Sequence, residues 1–162
     1  MNILTVNLLF STVVFWIAAR LYLFPRLATL STLTVMPPIL LLHALRHLGL
    51  MFLAPGAVFV GMPATFAYPG AFGDLLAALL ALAALFALVN GSPAAKPLTW
   101  AFNIEGTLDL FLAIALATIT DAPPFMGPAY WIPAFWVPAL LVTHAITFVV
   151  LTKHWRVDPV LR

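Results

Sequence analysis

The chain has 162 residues, 64% of them hydrophobic and only 7% charged, with a formal net charge of +2. Soluble domains carry about 25% charged residues, so a soluble globular protein is excluded and one polytopic membrane domain is expected over residues 1–162. The chain has no Lys/Arg cluster that could read phosphates, which excludes nucleic acid as a partner, and no cysteine, which excludes disulfides, thiolate chemistry and Cys-ligated metals.

Crossing a hydrocarbon core of about 30 Å takes roughly 20 apolar residues as helix, and five stretches qualify. The first covers residues 3–24 within MNILTVNLLFSTVVFWIAARLYLFPR. It lacks the positive start of a secretory signal and its arginines follow the apolar run, so a retained spanning helix with its N-terminus outside is expected. The second covers residues 38–59, follows TVMPP and is interrupted by Pro55 and Gly56. The third, residues 72–89, follows GMPATFAYPG and is nearly all Ala and Leu. The fourth, residues 98–119, follows NGSPAAKP; the fifth, residues 130–152, follows TDAPPFMGP and carries Pro133 and Pro138, which are expected to bend it. Pro and Gly in the connectors act as turn punctuation. Backbone groups in lipid must be satisfied internally, so the fold class is all-α: an integral membrane bundle of five transmembrane helices, with no internal repeat and no soluble domain.

Orientation follows from the basic residues. Arg20 and Arg26 flank the first connector, Lys96 lies in the third, and Lys153, Arg156 and Arg162 are in the tail. With five spans these regions share one face, while Asp74 and Asp121, read as helix-end or loop residues, fall on the other. The C-terminus is therefore expected in the cytoplasm, in a multi-pass protein of the cell membrane. Tyr22, Trp100 and Trp155 suit the inner interface, and Tyr68, Tyr130 and Trp131 the outer one. His154 reads as an interfacial residue.

Arg46 does not fit an interface. From a helix start near Pro38 it lies about 12 Å in, where an unpaired arginine costs at least about 2.5–3.5 kcal/mol. His43 and His47 lie three and four residues from it, which on an α-helix is the same face. In the fourth span, WAFNIEGTLDLF places Glu105 about 10 Å and Asp109 about 16 Å from the same side. Asn103 and Gly106 share a neighbouring stripe, and the glycine would let another helix approach. In the fifth span His144 lies about 12 Å from its cytoplasmic end, near Thr143 and Thr147. A buried polar layer of Arg46, Glu105, Asp109, His47, His144, His43 and Asn103 is thus expected, centred on an ion pair of Arg46 with Glu105 or Asp109.

Such a pair alone can fix helix order. The number of ionisable groups exceeds that need, and the leading expectation is a cavity that binds or translocates a small polar or anionic molecule, with Arg46 holding the head group and the acids and histidines exchanging protons. One alternative is a haem- or metal-binding membrane redox protein, with haem as cofactor and His47 and His144 as the first ligands on facing helices. Another is a non-catalytic accessory subunit, its small-residue faces packing on other membrane subunits. No P-loop, G-x-S-x-G or Rossmann fingerprint is present, and the sequence leaves open whether the protein is an enzyme.

ALRHLGLMFLAPG, followed after a Pro-rich connector by FGDLLAALLALAAL, resembles the start of DoxX-like small membrane proteins over residues 43–86. The shared pattern is an arginine, then glycine and phenylalanine, a second glycine, a loop and an Ala/Leu-rich helix. The extra first helix, the missing lysine after Gly56 and the FNIEGTLDL element depart from it. The resemblance implies an integral membrane protein, in some cases associated with redox complexes, and marks Arg46 as the motif arginine.

Overall fold

The structure, a computed structural model, describes residues 3–156. Within them lie five helices long and apolar enough to cross a membrane: α1 Ile3–Arg26, α2 Thr32–Leu53, α3 Ala64–Val89, α4 Ala95–Ile119 and α5 Gly127–His154. The described residues contain no strand. The protein is an all-α membrane bundle. Arg162, used above for orientation, lies outside the described residues.

Four spans begin earlier than hydropathy places them, α4 and α5 by three residues and α2 and α3 by more. α2 starts at Thr32 rather than at residue 38, because the Ser31 hydroxyl caps it by accepting the Thr34 N–H at 3.2 Å. Pro37 and Pro38 therefore sit inside the helix, close to its start, where they deprive only the Leu33 and Thr34 carbonyls of their usual donors. α2 also stops at Leu53 rather than 59, where Pro55 and Gly56, at φ +80°, turn the chain. α3 starts at Ala64 rather than 72, with Pro63 before it and Pro69 within it. Its first two turns are the stretch ATFAYPG, whose Pro and Gly read as a loop.

Three spans are not regular α-helix throughout. α1 closes with a π-helical stretch, Ala19–Leu23, and a 3-10 turn, Phe24–Arg26. The second half of α2, Leu45–Leu53, winds as a 3-10 helix, a long run for that tighter geometry. In α5 the chain opens with a short 3-10 turn, and Val137 N–H then reaches back five residues to the Ile132 carbonyl. Pro133 lies in this widened stretch; regular α-helix runs over Val137–Val149, and Val150–His154 widens again.

α3 packs against α2 and α4, while α1 lies on the outside against α5. Much of α1 faces outward, with Val6, Leu9, Phe10, Val13 and Ile17 exposed, a surface that lipid rather than water must cover. The helix ends are laced together. At the end bearing Arg26, Lys96 and Lys153, the basic end, Thr32 N–H donates to Arg156 O at 3.2 Å and Arg156 N–H to Thr32 Oγ1 at 2.8 Å. At the far end Phe59 N–H donates to Phe125 O at 2.8 Å and Ala129 N–H to Ala57 O at 2.9 Å. Two apolar clusters fill the interior. One, toward the basic end, includes Met36, Leu40, Ala81, Ala84 and Phe102. The other, toward the far end, includes Phe52, Phe66, Leu110, Met126 and Leu140. Between them runs a polar layer.

Candidate functional site

Arg46 is 1% exposed and sits in the 3-10 half of α2. At three residues per turn, Arg46, Gly49 and Phe52 stack along one buried edge. The guanidinium reaches all three neighbouring helices. Its Nε donates to Asp74 Oδ1 of α3 at 2.7 Å, and its Nη2 to Asp109 Oδ2 of α4 at 2.5 Å. Its Nη1 donates to the Gly106 carbonyl at 3.2 Å and lies 3.3 Å from His144 Nε2 of α5. Because arginine only donates, His144 Nε2 must accept, which puts the imidazole proton on Nδ1. That N–H donates to Asn103 Oδ1 at 2.7 Å, and the Asn103 amide returns a bond to the His144 carbonyl at 3.3 Å. His144 is thus held as the neutral ring.

His43, fully buried one turn before Arg46, has its ring centre 4.3 Å from that of His144, tilted, and 4.8 Å from that of Phe102, edge to face. Its Nε2 lies 2.8 Å from Thr143 Oγ1, whose own hydroxyl can donate to the Ala139 carbonyl at 2.9 Å. His43 Nδ1 is buried without a hydrogen-bond partner among the described residues.

Three glycines make the room for this layer. A Cβ on Gly106 would stand 2.6 Å from Arg46 Nη1 and 2.8 Å from His144 Cε1. A Cβ on Gly73 of α3 would overlap the Asp109 carboxylate, and one on Gly49 of α2 would overlap that of Asp74. Each acid is seated against the bare backbone of a neighbouring helix. The charge does not balance: one guanidinium faces two carboxylates, and the neutral His144 adds nothing. Either a carboxyl keeps a proton or a positive or donating group from elsewhere completes the layer.

The layer sits deeper than the sequence suggests. Since α2 begins at Thr32, Arg46 is about 21 Å from its start rather than about 12 Å. The same rise puts Asp74 about 22 Å from Val89 and Asp109 about 21 Å from Ala95, so the three charges share one height near mid-bundle.

Of the expected residues, Arg46, Asp109, His144, His43 and Asn103 come together. His47 does not. It is exposed, its ring Nδ1 near the Ala44 carbonyl at 3.0 Å, because the 3-10 winding aligns every third residue and swings the fourth away. His47 and His144 are therefore not brought together as axial ligands. Glu105 is half-buried and makes no ion pair among the described residues. The buried edge of α4 runs through Asn103, Gly106 and Asp109, and Glu105 falls beside it. Sequence reading missed Asp74, taken for a helix-end residue. Its signal was phase: Asp74 continues the buried run Ala67, Gly70, Ala77, Ala81 and Ala84. Asp121, by contrast, is exposed in the α4–α5 connector, and His154 is half-buried at the end of α5.

Beside the layer, toward the far end, lies a cavity of about 350 Å³ between α1 and the core helices, with Leu4, Leu8, Phe66, Ala117, Met126 and Asp74 in its lining. A second cavity of about 350 Å³ between α1, α4 and α5 is lined by residues including Thr12, Trp16, Phe111 and His144.

The family model of a domain of unknown function, DUF8737, matches residues 3–152. The chain belongs to that family. All the residues of the polar layer and all three of its glycines fall inside the match. No curated protein and no solved structure matches the chain.

Proposed function

We propose that this protein binds a small polar molecule beside the Arg46 layer and couples that binding to the protonation of the layer's carboxyls, in a cell membrane with the basic end toward the cytoplasm. The observation that carries this reading is the sharing of one guanidinium between two acids, one of which, Asp74, also lines a cavity. A pin that only sets helix order needs one acid, and a second buried carboxylate is costly unless it is used. Arg46 already donates to both acids, to the Gly106 carbonyl and to His144. An anion seated on it would have to displace one of the protein's own carboxylates. The available contact is the acid, which favours a neutral or positively charged polar molecule. The likeness of residues 43–86 to DoxX-like proteins belongs to the same proposal, with the motif arginine as the anchor of the layer.

The test is native mass spectrometry of the protein extracted in mild detergent. A retained small molecule, lost in Asp74→Asn while the protein stays monodisperse, is the expected result. If the wild type carries nothing but lipid and the variant differs only in thermal stability, the layer is a structural pin and the reading fails. Added protein mass would instead point to a subunit of a larger complex.

A further inference from the structure

We infer that the 350 Å³ cavity beside Asp74 is a site for one amphiphile, whose apolar body lies between α1 and α4 and whose hydrogen-bond-donating head, a protonated amine above all, meets the Asp74 carboxylate. This rests on the binding reading above and adds the chemical class of the molecule.

The cavity has the size of small-molecule pockets, about 300–1,000 Å³. Its wall is apolar apart from Thr5, Thr118 and Asp74. An apolar wall with one charged group selects a molecule of the same pattern. Asp74 is the only charged group in that wall, and its Oδ1 is taken by Arg46. Its Oδ2 accepts no hydrogen bond from the described residues and lies against the bare backbone of Gly49. A carboxylate offers about four lone-pair sites, and leaving them unmet in an apolar setting is unfavourable. Charge points the same way. Arg46 neutralises one of the two acids, so a cationic or donating head supplies what the layer lacks, whereas a carboxylate head would meet a group of its own sign.

The route in is lateral. α1 leans on α5 and has little contact with α3 and α4, and the cavity is the gap this leaves. An apolar tail can enter there from the lipid without unfolding anything. The second cavity lacks the matching feature: its one titratable side chain, His144, has both ring nitrogens bonded.

The test uses three photoreactive alkyl diazirine probes of equal chain length with amine, alcohol or carboxylate heads. The full chain is reconstituted in phosphatidylcholine nanodiscs and the labelled sites are mapped by peptide mass spectrometry. The amine probe should label residues 4–9 and 113–118 over the carboxylate probe by on the order of tenfold, the effect of one charge-assisted hydrogen bond. Excess dodecylamine should compete and dodecanoate should not. Ala113→Phe, which fills the cavity from its wall, should abolish the labelling, and Asp74→Asn should bring the amine and carboxylate probes level. If Asp74→Asn does not fold, the wild-type competition and Ala113→Phe decide. Labelling as heavy at the outward-facing Phe10 and Val13, insensitive to competitor, overturns the inference, as does preference for the carboxylate probe. A polar molecule retained in native mass spectra together with either of those results would sink this site but leave the binding reading standing.

Discussion

The two halves of the bundle, on either side of the Arg46 layer, are built differently. Toward the basic end α2, α3 and α4 wind as α-helices, and one row of small residues of α3 is buried. Ala77, Ala81 and Ala84 are fully buried, the last two in one cluster with Leu40 and Phe102. Without a hydrophobic driving force between helices in lipid, close approach through small residues is what holds such an interface. Toward the far end α2 tightens to 3-10 winding, α5 widens before Val137, and Pro69 and Pro133 lie within their helices. Side chains on helices of unlike pitch cannot interlock along their length, and the far half keeps a cavity lined by large residues such as Phe52, Phe66 and Met126. The basic end has irregular turns of its own, in α1 at Ala19–Leu23 and in α5 at Val150–His154, so what sets the far half apart is the 3-10 winding of α2 beside the cavity that Asp74 lines.

The largest expected effect is at the boundary between the halves. Arg46→Ala leaves two buried acids without a partner and should lower stability by about 3–5 kcal/mol, read as a fall in the unfolding midpoint in detergent. Combining it with Asp109→Asn should restore part of the loss, and a double-mutant cycle without coupling would refute the pairing. Next come small-to-large changes, which separate the halves directly. Ala81→Leu, in the close-packed seam, should destabilise by about 1–3 kcal/mol, whereas Ala113→Leu, in the cavity wall, should be nearly neutral by the same assay. Equal effects would mean that the far half is packed as tightly as the basic one. A finer contrast lies within α3. Gly73→Ala drives a methyl into the Asp109 carboxylate and should destabilise, while at Gly70 the nearest atoms to an added Cβ are 4.0 Å away. Gly70→Ala should stabilise by about 0.5–1 kcal/mol through helix propensity alone. The smallest effect belongs to His47→Ala, expected within about 0.5 kcal/mol of wild type because the ring is exposed. A loss of several kcal/mol there would place His47 back in the layer.

Much of the layer could be read from the chain. An arginine among apolar residues demanded an acid, and FNIEGTLDL offered two at matching height. Glu105 and Asp109 lie on one stripe, and which acid faces α2 depends on a small rotation of α4. Gly106, three residues before Asp109, marked the closely approached side, so the partner was legible in retrospect. Asp74 was hidden by Pro69 and Gly70, which look like a turn but lie in helix.

By itself, the sequence determined that the chain lives in lipid, how many times it crosses, and that Arg46 cannot stand alone there. These are sums over some 20 residues or over one large desolvation term, and no packing detail reverses them. Only the tertiary structure decided that the arginine is shared by two acids, that His47 is swung out and that a cavity reaches Asp74. Those outcomes turn on helix start points, on 3-10 against α winding and on three missing Cβ atoms. Each is a difference of an ångström or a fraction of a turn, which composition does not encode.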